Sequence, residues 1–130
     1  MKKFLFTLLA CLTLGSSFVY ANPQIEKAYH DKQSNVQVQG IGKVSRILSD
    51  DNNGSKHQKF LLKLPSKLTL LVAHNIDVSK RIDKLKEGDE VEFYGEYEWN
   101  NKGGVLHWTH HDPRGKHKDG WLKHNGVVYK

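Results

Sequence analysis

Alternating apolar and polar positions along the chain predict a series of β-strands. Two sets of side chains alternate without interruption from Val91 to Trp99, which places one set on each face of a strand. Phe60, Leu62 and Leu64 share one parity in the same way. Segments rich in Asp, Asn, Gly and Pro separate the apolar runs. The pattern predicts five strands and a terminal hairpin, over residues 36–48, 57–64, 68–74, 91–99, 105–110 and 121–129.

The first predicted strand is long and bent, because its apolar parity shifts around Gly40 and Gly42. A short helix fits residues 25–29, and Asp77 is a suitable N-cap for another over residues 78–85. This order of elements matches the OB-fold, a small five-stranded Greek-key barrel. We therefore predict a mainly β protein, an OB-fold-like barrel with a short helix between strands three and four and a C-terminal hairpin.

The first 21 residues have the pattern of a secretory signal peptide, with a positive start, an apolar run and the cleavage signal Val19-Tyr20-Ala21. The apolar run is too short to cross a membrane. The mature chain, from Asn22, is therefore predicted to lack a transmembrane segment and to be periplasmic or secreted. In the alternative, residues 8–11 form a lipoprotein cleavage box and Cys11 carries a lipid anchor. We expect a polar lead segment over residues 22–35 and the barrel domain over residues 36–130.

Composition limits the chemistry of the exported chain. Its single cysteine and single methionine would both leave with the signal peptide, which excludes disulfides, thiolate ligands and cysteine nucleophiles. Loss of Lys2 and Lys3 would lower the formal net charge from +6 to +4. The charge is unevenly distributed, because basic residues crowd the C-terminal segment while Glu90, Glu92, Glu96 and Glu98 cluster on the fourth strand.

The C-terminal segment, residues 107–130, holds five of the eight histidines. Histidine is the side chain best suited to binding a metal or moving a proton near neutral pH. On an extended strand, His107 and His111 would share a face but lie about 13 Å apart, too far to chelate one ion together. His110 and Asp112 would share the other face. A strand-based site would need His57 or His74 to complete it. In the alternative, a turn before Pro113 would gather His110, His111 and His117.

Three other positions favour ordinary structural roles for histidine. His74 has the apolar parity of strand three, so a hydrogen-bonded core histidine is expected there. His124 falls in the predicted hairpin turn and is expected to be solvated. His30 lies in the polar lead segment and carries no functional signal.

Several motifs, HQKFLLKL, LLVAHNID, EGDEVEFYGEYEWN, GGVLHWTHHDPRG and DGWLKHNG, resemble a family of small exported bacterial proteins catalogued only as a domain of unknown function. The resemblance extends from about Val36 to Tyr129, and HWTHHDP is its most specific part. It implies export and one compact OB-fold-like domain, and it transfers no catalytic residue. A looser similarity, of architecture only, links the chain to periplasmic OB-fold proteins and to OB-fold nucleases.

Binding is the function class that the sequence favours. OB barrels present strands two and three to an oligonucleotide or oligosaccharide, and this face would carry His57, Lys59 and Lys63. With Arg114 and Lys116 these residues form a basic, histidine-rich surface for an anionic ligand, of which single-stranded nucleic acid is one class. Two features weigh against nucleic acid: the glutamates of strand four would repel phosphates, and three aromatic residues have core parity. These are Tyr97, Trp99 and Trp108.

The alternative is a metal-dependent nuclease or phosphodiesterase, for which the metal ligands would be His107, His110, His111 and Asp112. A zinc-type ion would activate water, and His110 and Asp112 are the candidate catalytic residues. Arg114 or Lys116 would stabilise the phosphate-like transition state. The sequence contains no serine elbow, phosphate loop or dinucleotide fingerprint. Whether the protein is an enzyme stays open at this point.

Overall fold

The computed structural model describes residues 23–130. One helix and seven strands follow one another along this part of the chain: α1 (Pro23–His30), β1 (Val36–Ile47), β2 (His57–Lys63), β3 (Thr69–Asn75), β4 (Glu90–Glu98), β5 (Val105–His107), β6 (Trp121–His124) and β7 (Val127–Tyr129). The helix covers the one predicted over residues 25–29. The predicted signal peptide and Cys11 lie outside the described residues. No helix within residues 23–130 is long and apolar enough to cross a membrane.

Five strands close the barrel in the order β1-β2-β3-β5-β4, and β4 pairs back to β1. Strands β3 and β5 are parallel, and the other pairs are antiparallel. The predicted bend of β1 is confirmed, because its pairing passes from β4 to β2 at Lys43 and a bulge follows between Val44 and Arg46. A Cβ on Gly42 would lie 3.0 Å from Leu64 Cδ2, so this bend leaves little room for a larger residue. The mainly β, OB-type barrel predicted from the pattern is confirmed.

The hydrophobic core fills the barrel along the predicted faces. Phe60, Leu62 and Leu64 of the second strand and its flank are buried, as are Phe93 and Tyr97 of β4. Ile25 and Ala28 bring α1 into the same cluster. Because every second residue of a strand points inward, the intervening residues lie on the outer face of the barrel. The outer face of β2, β3, β4 and β5 is therefore the side of the sheet that the barrel core does not cover.

The helix predicted over residues 78–85 is wrong, because this segment forms turns. The side chain of buried Gln58 accepts a hydrogen bond from the Ile82 N–H at 2.8 Å and donates one to the Ile82 carbonyl at 2.9 Å. His74 Nε2 donates to the Lys80 carbonyl at 3.1 Å. Side chains from β2 and β3 thus form hydrogen bonds to backbone groups that would bond to each other within a helix. Fully buried Ile82 packs into the core from this turn segment.

The C-terminal hairpin is confirmed, with its turn at Asn125 and Gly126. Both residues have positive φ, +50° and +80°, as the favoured two-residue hairpin turn requires. The hairpin lies beside β4 through β6. Strand β5 is shorter than predicted, since it ends at His107 and Trp108 takes a φ of +56°. The chain then forms a long loop, residues 108–120, over the outer face of the sheet.

Candidate ligand-binding site

A polar pocket of about 310 Å³ lies on the outer face of the barrel, where β2 begins and where β3, β4 and β5 end. Three histidines, two glutamates, one asparagine, one tryptophan and one alanine line it: His57, His107, His110, Glu96, Glu98, Asn75, Trp108 and Ala73. We call this the histidine pocket. Its lining contains neither lysine nor arginine.

Strand register brings these residues together from distant parts of the chain. His57 lies opposite Asn75 across β2 and β3, and Glu96 lies opposite His107 across β4 and β5. The neighbouring residues Gln58, His74 and Tyr97 are buried, so the pocket residues have the outward parity. His107 Nε2 lies 3.5 Å from Glu98 Oε1 at the rim.

His110 is fixed in one tautomer at the pocket. It is 6% exposed, and its Nδ1 donates a hydrogen bond to the His111 carbonyl at 2.7 Å. Because a carbonyl only accepts, Nδ1 carries the proton of the neutral ring and Nε2 keeps its lone pair. Burial is the main cause that lowers the pKa of His110. At neutral pH the pocket therefore holds a neutral imidazole whose Nε2 is a hydrogen-bond acceptor or a ligand atom.

Fully buried His74 supports this region from inside the barrel. Its Nε2 donates to the Lys80 carbonyl, so its Nδ1 accepts the hydroxyl hydrogen of Thr109 at 2.7 Å. Burial lowers the pKa of His74 to about 4, so the ring is neutral at physiological pH. The expectation of a hydrogen-bonded core histidine is confirmed. The hydrogen bond holds Thr109 between the pocket residues Trp108 and His110.

A protonated histidine neutralises one of the pocket glutamates. His117 Nε2 lies 2.6 Å from Glu96 Oε1, and its Nδ1 lies 2.8 Å from the Lys118 carbonyl. Both partners accept, so the ring carries two protons and is an imidazolium. Burial lowers the pKa of His117, but the bonds to Glu96 and to the Lys118 carbonyl outweigh burial, and the pKa is raised. Sequence reasoning missed this pair because 21 residues separate its members.

Trp108 stacks on the His117 ring, with ring centroids 3.9 Å apart and an interplanar angle of 6°. The sequence predicted a core position for Trp108, and this is wrong. The residue is half-buried and lines the histidine pocket, because its positive φ ends β5 and breaks the strand parity. Tyr97 is fully buried and Trp99 packs against the core, as predicted.

Asp112 organises the loop and does not line the pocket. Its carboxylate accepts hydrogen bonds from the backbone N–H groups of Arg114, Lys116 and His117, at 2.9, 2.8 and 2.7 Å. These bonds, that from Arg114 foremost, lower its pKa. With its acceptors used in this way, Asp112 closes a turn of the loop.

The predicted metal ligands are therefore only partly brought together. His107 and His110 line the histidine pocket, while His111 and Asp112 do not, and His57 takes a place beside the first two. Within residues 23–130, no three His, Cys, Asp or Glu side chains are arranged to hold a metal ion.

The predicted cationic residues divide into two groups. Lys59 lies opposite Ala73 of the histidine pocket across β2 and β3, and Arg114 and Lys116 are exposed on the loop beyond His110. Lys63, at the other end of β2, lines a different pocket. Lys59 is thus the predicted cation that strand pairing places beside the histidine pocket, while Arg114 and Lys116 lie on the loop that follows His110.

The expectation that His124 is solvated is wrong. The residue is 3% exposed, and its Nε2 lies 2.8 Å from Asp89 Oδ2. Strand β6 includes His124, and its side chain shares the inward parity of Leu122. This contact joins the turn end of the hairpin to the segment before β4, and neither residue lines the histidine pocket.

A family model described as "Protein of unknown function (DUF3465)" matches residues 7–130 of the chain. No curated protein matches the chain.

Proposed function

Since the chain belongs to the DUF3465 family, whose function is unknown, we propose a function from the geometry of its pocket. The protein is an OB-fold binding protein, and its ligand is single-stranded nucleic acid. A base enters the histidine pocket, and the phosphates contact the surrounding cations. The observation that carries the proposal is a pocket of hydrogen-bonding groups on the outer face of β2, β3, β4 and β5, with Lys59 opposite its lining residue Ala73.

The chemistry of the pocket suits a base edge better than a phosphate. His110 Nε2 is an acceptor, Glu98 accepts, and Asn75 offers its amide donor, since its Oδ1 already accepts the Asp77 N–H at 2.9 Å. Proteins that read unpaired bases use such groups on the base edges. Glu96 repels anions less than its charge suggests, because the His117 imidazolium lies 2.6 Å away. The absence of lysine and arginine from the lining keeps phosphates at the rim.

The rim supplies the charge that a phosphate backbone needs. Lys59, Arg114 and Lys116 form no ion pair within residues 23–130. Neutralising phosphates releases counterions, so affinity for a single strand should fall with salt, with a logarithmic slope of roughly −0.7 for each phosphate contacted.

The test is fluorescence anisotropy with a labelled single-stranded DNA of mixed sequence, at a series of salt concentrations. Lys59→Gln should weaken binding and reduce the salt slope by about 0.7, the share of one phosphate contact. Lys63→Gln, on the same strand but outside the histidine pocket, is the matched control and should behave as the parent protein. Asn75→Ala should weaken binding without changing the slope. Absent or salt-insensitive binding, or equal effects of Lys59→Gln and Lys63→Gln, would refute the proposal.

A second candidate, the metal-dependent nuclease or phosphodiesterase, is favoured by the tautomer of His110. An imidazole that donates through Nδ1 to a carbonyl and keeps Nε2 open is the common arrangement of a metal-binding histidine. His57, His107 and Glu98 are the lining residues that would join it after side-chain rotation, in place of His111 and Asp112.

Isothermal titration with zinc distinguishes this candidate from simple binding. The metal-binding proposal predicts roughly one equivalent bound, with loss of that binding in His110→Ala, and cleavage of single-stranded DNA only in the parent protein with zinc. Retained zinc binding in His110→Ala would exclude the site, and bound zinc without cleavage would exclude the nuclease.

The protein is further proposed to act outside the cytoplasm, on the signal-peptide pattern that ends at Ala21. Intact mass measurement of protein from the periplasmic and membrane fractions tests this. A soluble periplasmic chain beginning at Asn22 supports the secretory signal peptide. A lipid-modified chain beginning at Cys11 supports the lipoprotein alternative, and a full-length chain contradicts both.

A further inference from the structure

A second pocket, of about 490 Å³, lies at the opposite end of β2 and β4 from the histidine pocket. Its apolar lining comes from the bend of β1 and the end of β2, and consists of Ile41, Val44, Leu64 and Pro65. We call it the apolar pocket. Its volume falls within the range of about 300–1,000 Å³ that is usual for small-molecule sites.

Three lysines surround this apolar surface: Lys43, Lys63 and Lys67. None of them forms an ion pair within residues 23–130. Lys43 and Lys63 lie directly opposite each other across β1 and β2, an arrangement of like charges that destabilises a sheet. Glu90 is the one acidic residue of the lining, and it lies opposite Lys43 across β1 and β4 without forming an ion pair. The positive charge at this pocket is therefore not balanced by the protein itself.

The backbone conformation of Lys67 is a second unusual feature of the apolar pocket. Its φ is +80°, in the region that favours glycine. The Lys67 N–H closes a turn on the Leu64 carbonyl at 2.9 Å, and the Leu64 N–H bonds to the Leu68 carbonyl at 2.9 Å. Glycine would fit this turn without strain, yet the position holds a residue that adds a third ammonium group to the pocket. Strain of this kind is concentrated at functional sites.

We propose that the apolar pocket binds a single-chain anionic amphiphile, a fatty carboxylate. The alkyl chain would contact the accessible side chains of Ile41 and Pro65 and the small exposed parts of Val44 and Leu64. The carboxylate would contact the ammonium groups of Lys63 and Lys67. Nucleic acid fits this pocket poorly, because its lining offers no aromatic ring for stacking and few groups for reading a base edge. The proposal is independent of the function proposed for the histidine pocket, which shares no lining residue with this one.

Three probes separate the tail from the charge: decanoate, acetate as the carboxylate without a tail, and octyl glucoside as a tail without charge. Each probe is titrated into ¹⁵N-labelled protein, and its binding is followed by amide chemical shifts. Decanoate and octyl glucoside are kept below their micelle concentrations. Decanoate should give saturable shifts at Val44, Ser45 and Leu64, and acetate should give none. Octyl glucoside should bind about tenfold more weakly, since a hydrogen bond to a charged group contributes affinity of that order.

Two variants test the lysines, and one serves as the control. Lys63→Gln should weaken decanoate binding about tenfold. Lys67→Gly should do the same while relieving the backbone strain, so it keeps the test valid if Lys63→Gln is poorly folded. Lys59→Gln, on the same strand but outside the apolar pocket, should leave decanoate binding unchanged. Equal affinity for octyl glucoside and decanoate, shifts centred on the histidine pocket, or equal effects of Lys59→Gln and Lys63→Gln would overturn the proposal.

Discussion

Buried His74 should make the stability of the protein fall steeply in mild acid. Its pKa is lowered from 6.5 to about 4, mainly by burial. Between these two values the unfolded chain binds a proton that the native protein does not, so stability decreases as the pH falls. Each pKa unit corresponds to about 1.4 kcal/mol, so the loss from pH 7 to pH 4 is about 3 kcal/mol. That is a substantial fraction of the 5–15 kcal/mol typical of a native domain, roughly a fifth to three fifths.

The assay is urea unfolding at a series of pH values for the parent protein and His74→Gln. Glutamine keeps an amide donor for the Lys80 carbonyl and an acceptor for the Thr109 hydroxyl, but it does not titrate. The pKa of His110 is also lowered by burial, so His110 lowers the stability of both proteins as the pH falls. The difference between the two pH profiles therefore isolates the contribution of His74.

Histidine ring NMR supplies an independent check of the same reasoning. The His74 ring should remain a neutral Nε2–H tautomer down to about pH 4. Native-state titration of His74 near pH 6.5, or equal pH dependence of stability in the parent and His74→Gln, would refute the argument from burial.

Two further predictions concern the contacts around the site and the turn segment. Glu96→Gln should lower the pKa of His117, because it removes the carboxylate acceptor at 2.6 Å. Since a protonated imidazole quenches indole, the pH midpoint of Trp108 fluorescence should shift downward. An unchanged midpoint would count against the imidazolium assignment. Gln58→Leu should lower the free energy of unfolding by about 3 kcal/mol, because two buried backbone groups of Ile82 lose their hydrogen-bond partners. If urea unfolding shows a decrease below about 1 kcal/mol, these backbone groups find other partners in the variant.

The barrel could be predicted because its signal is local. Two-residue alternation identified the buried faces of β2 and β4, and the glycines around Gly42 marked the bend that lets β1 pair on both sides. The helix over residues 78–85 failed for the opposite reason. Its N-cap pattern is local, but Gln58, which binds both backbone groups of Ile82, lies 24 residues away.

The site could be predicted only in part, because it depends on register. His57, His107 and His110 were identified from the sequence, but Asn75, Glu96 and Glu98 were not assigned to the site, because they reach it through strand pairing that no local pattern specifies. Two errors had a signal in the sequence. His124 shares parity with buried Leu122, and Asp112 precedes Pro-Arg-Gly, a turn sequence in which an Asp side chain commonly binds backbone N–H groups.

The two proposed sites should act independently, although one strand contributes to both. Lys59 and Lys63 are four residues apart on β2, which corresponds to about 13 Å. This exceeds the Debye length of about 8 Å at physiological ionic strength, so a charge at one lysine is largely screened from the other. Decanoate should therefore leave the DNA affinity of the histidine pocket unchanged at physiological salt, and weak mutual repulsion should emerge only at low salt. Strong competition at physiological salt would mean that both ligands occupy one site, and the division of the cations between two pockets would then be wrong.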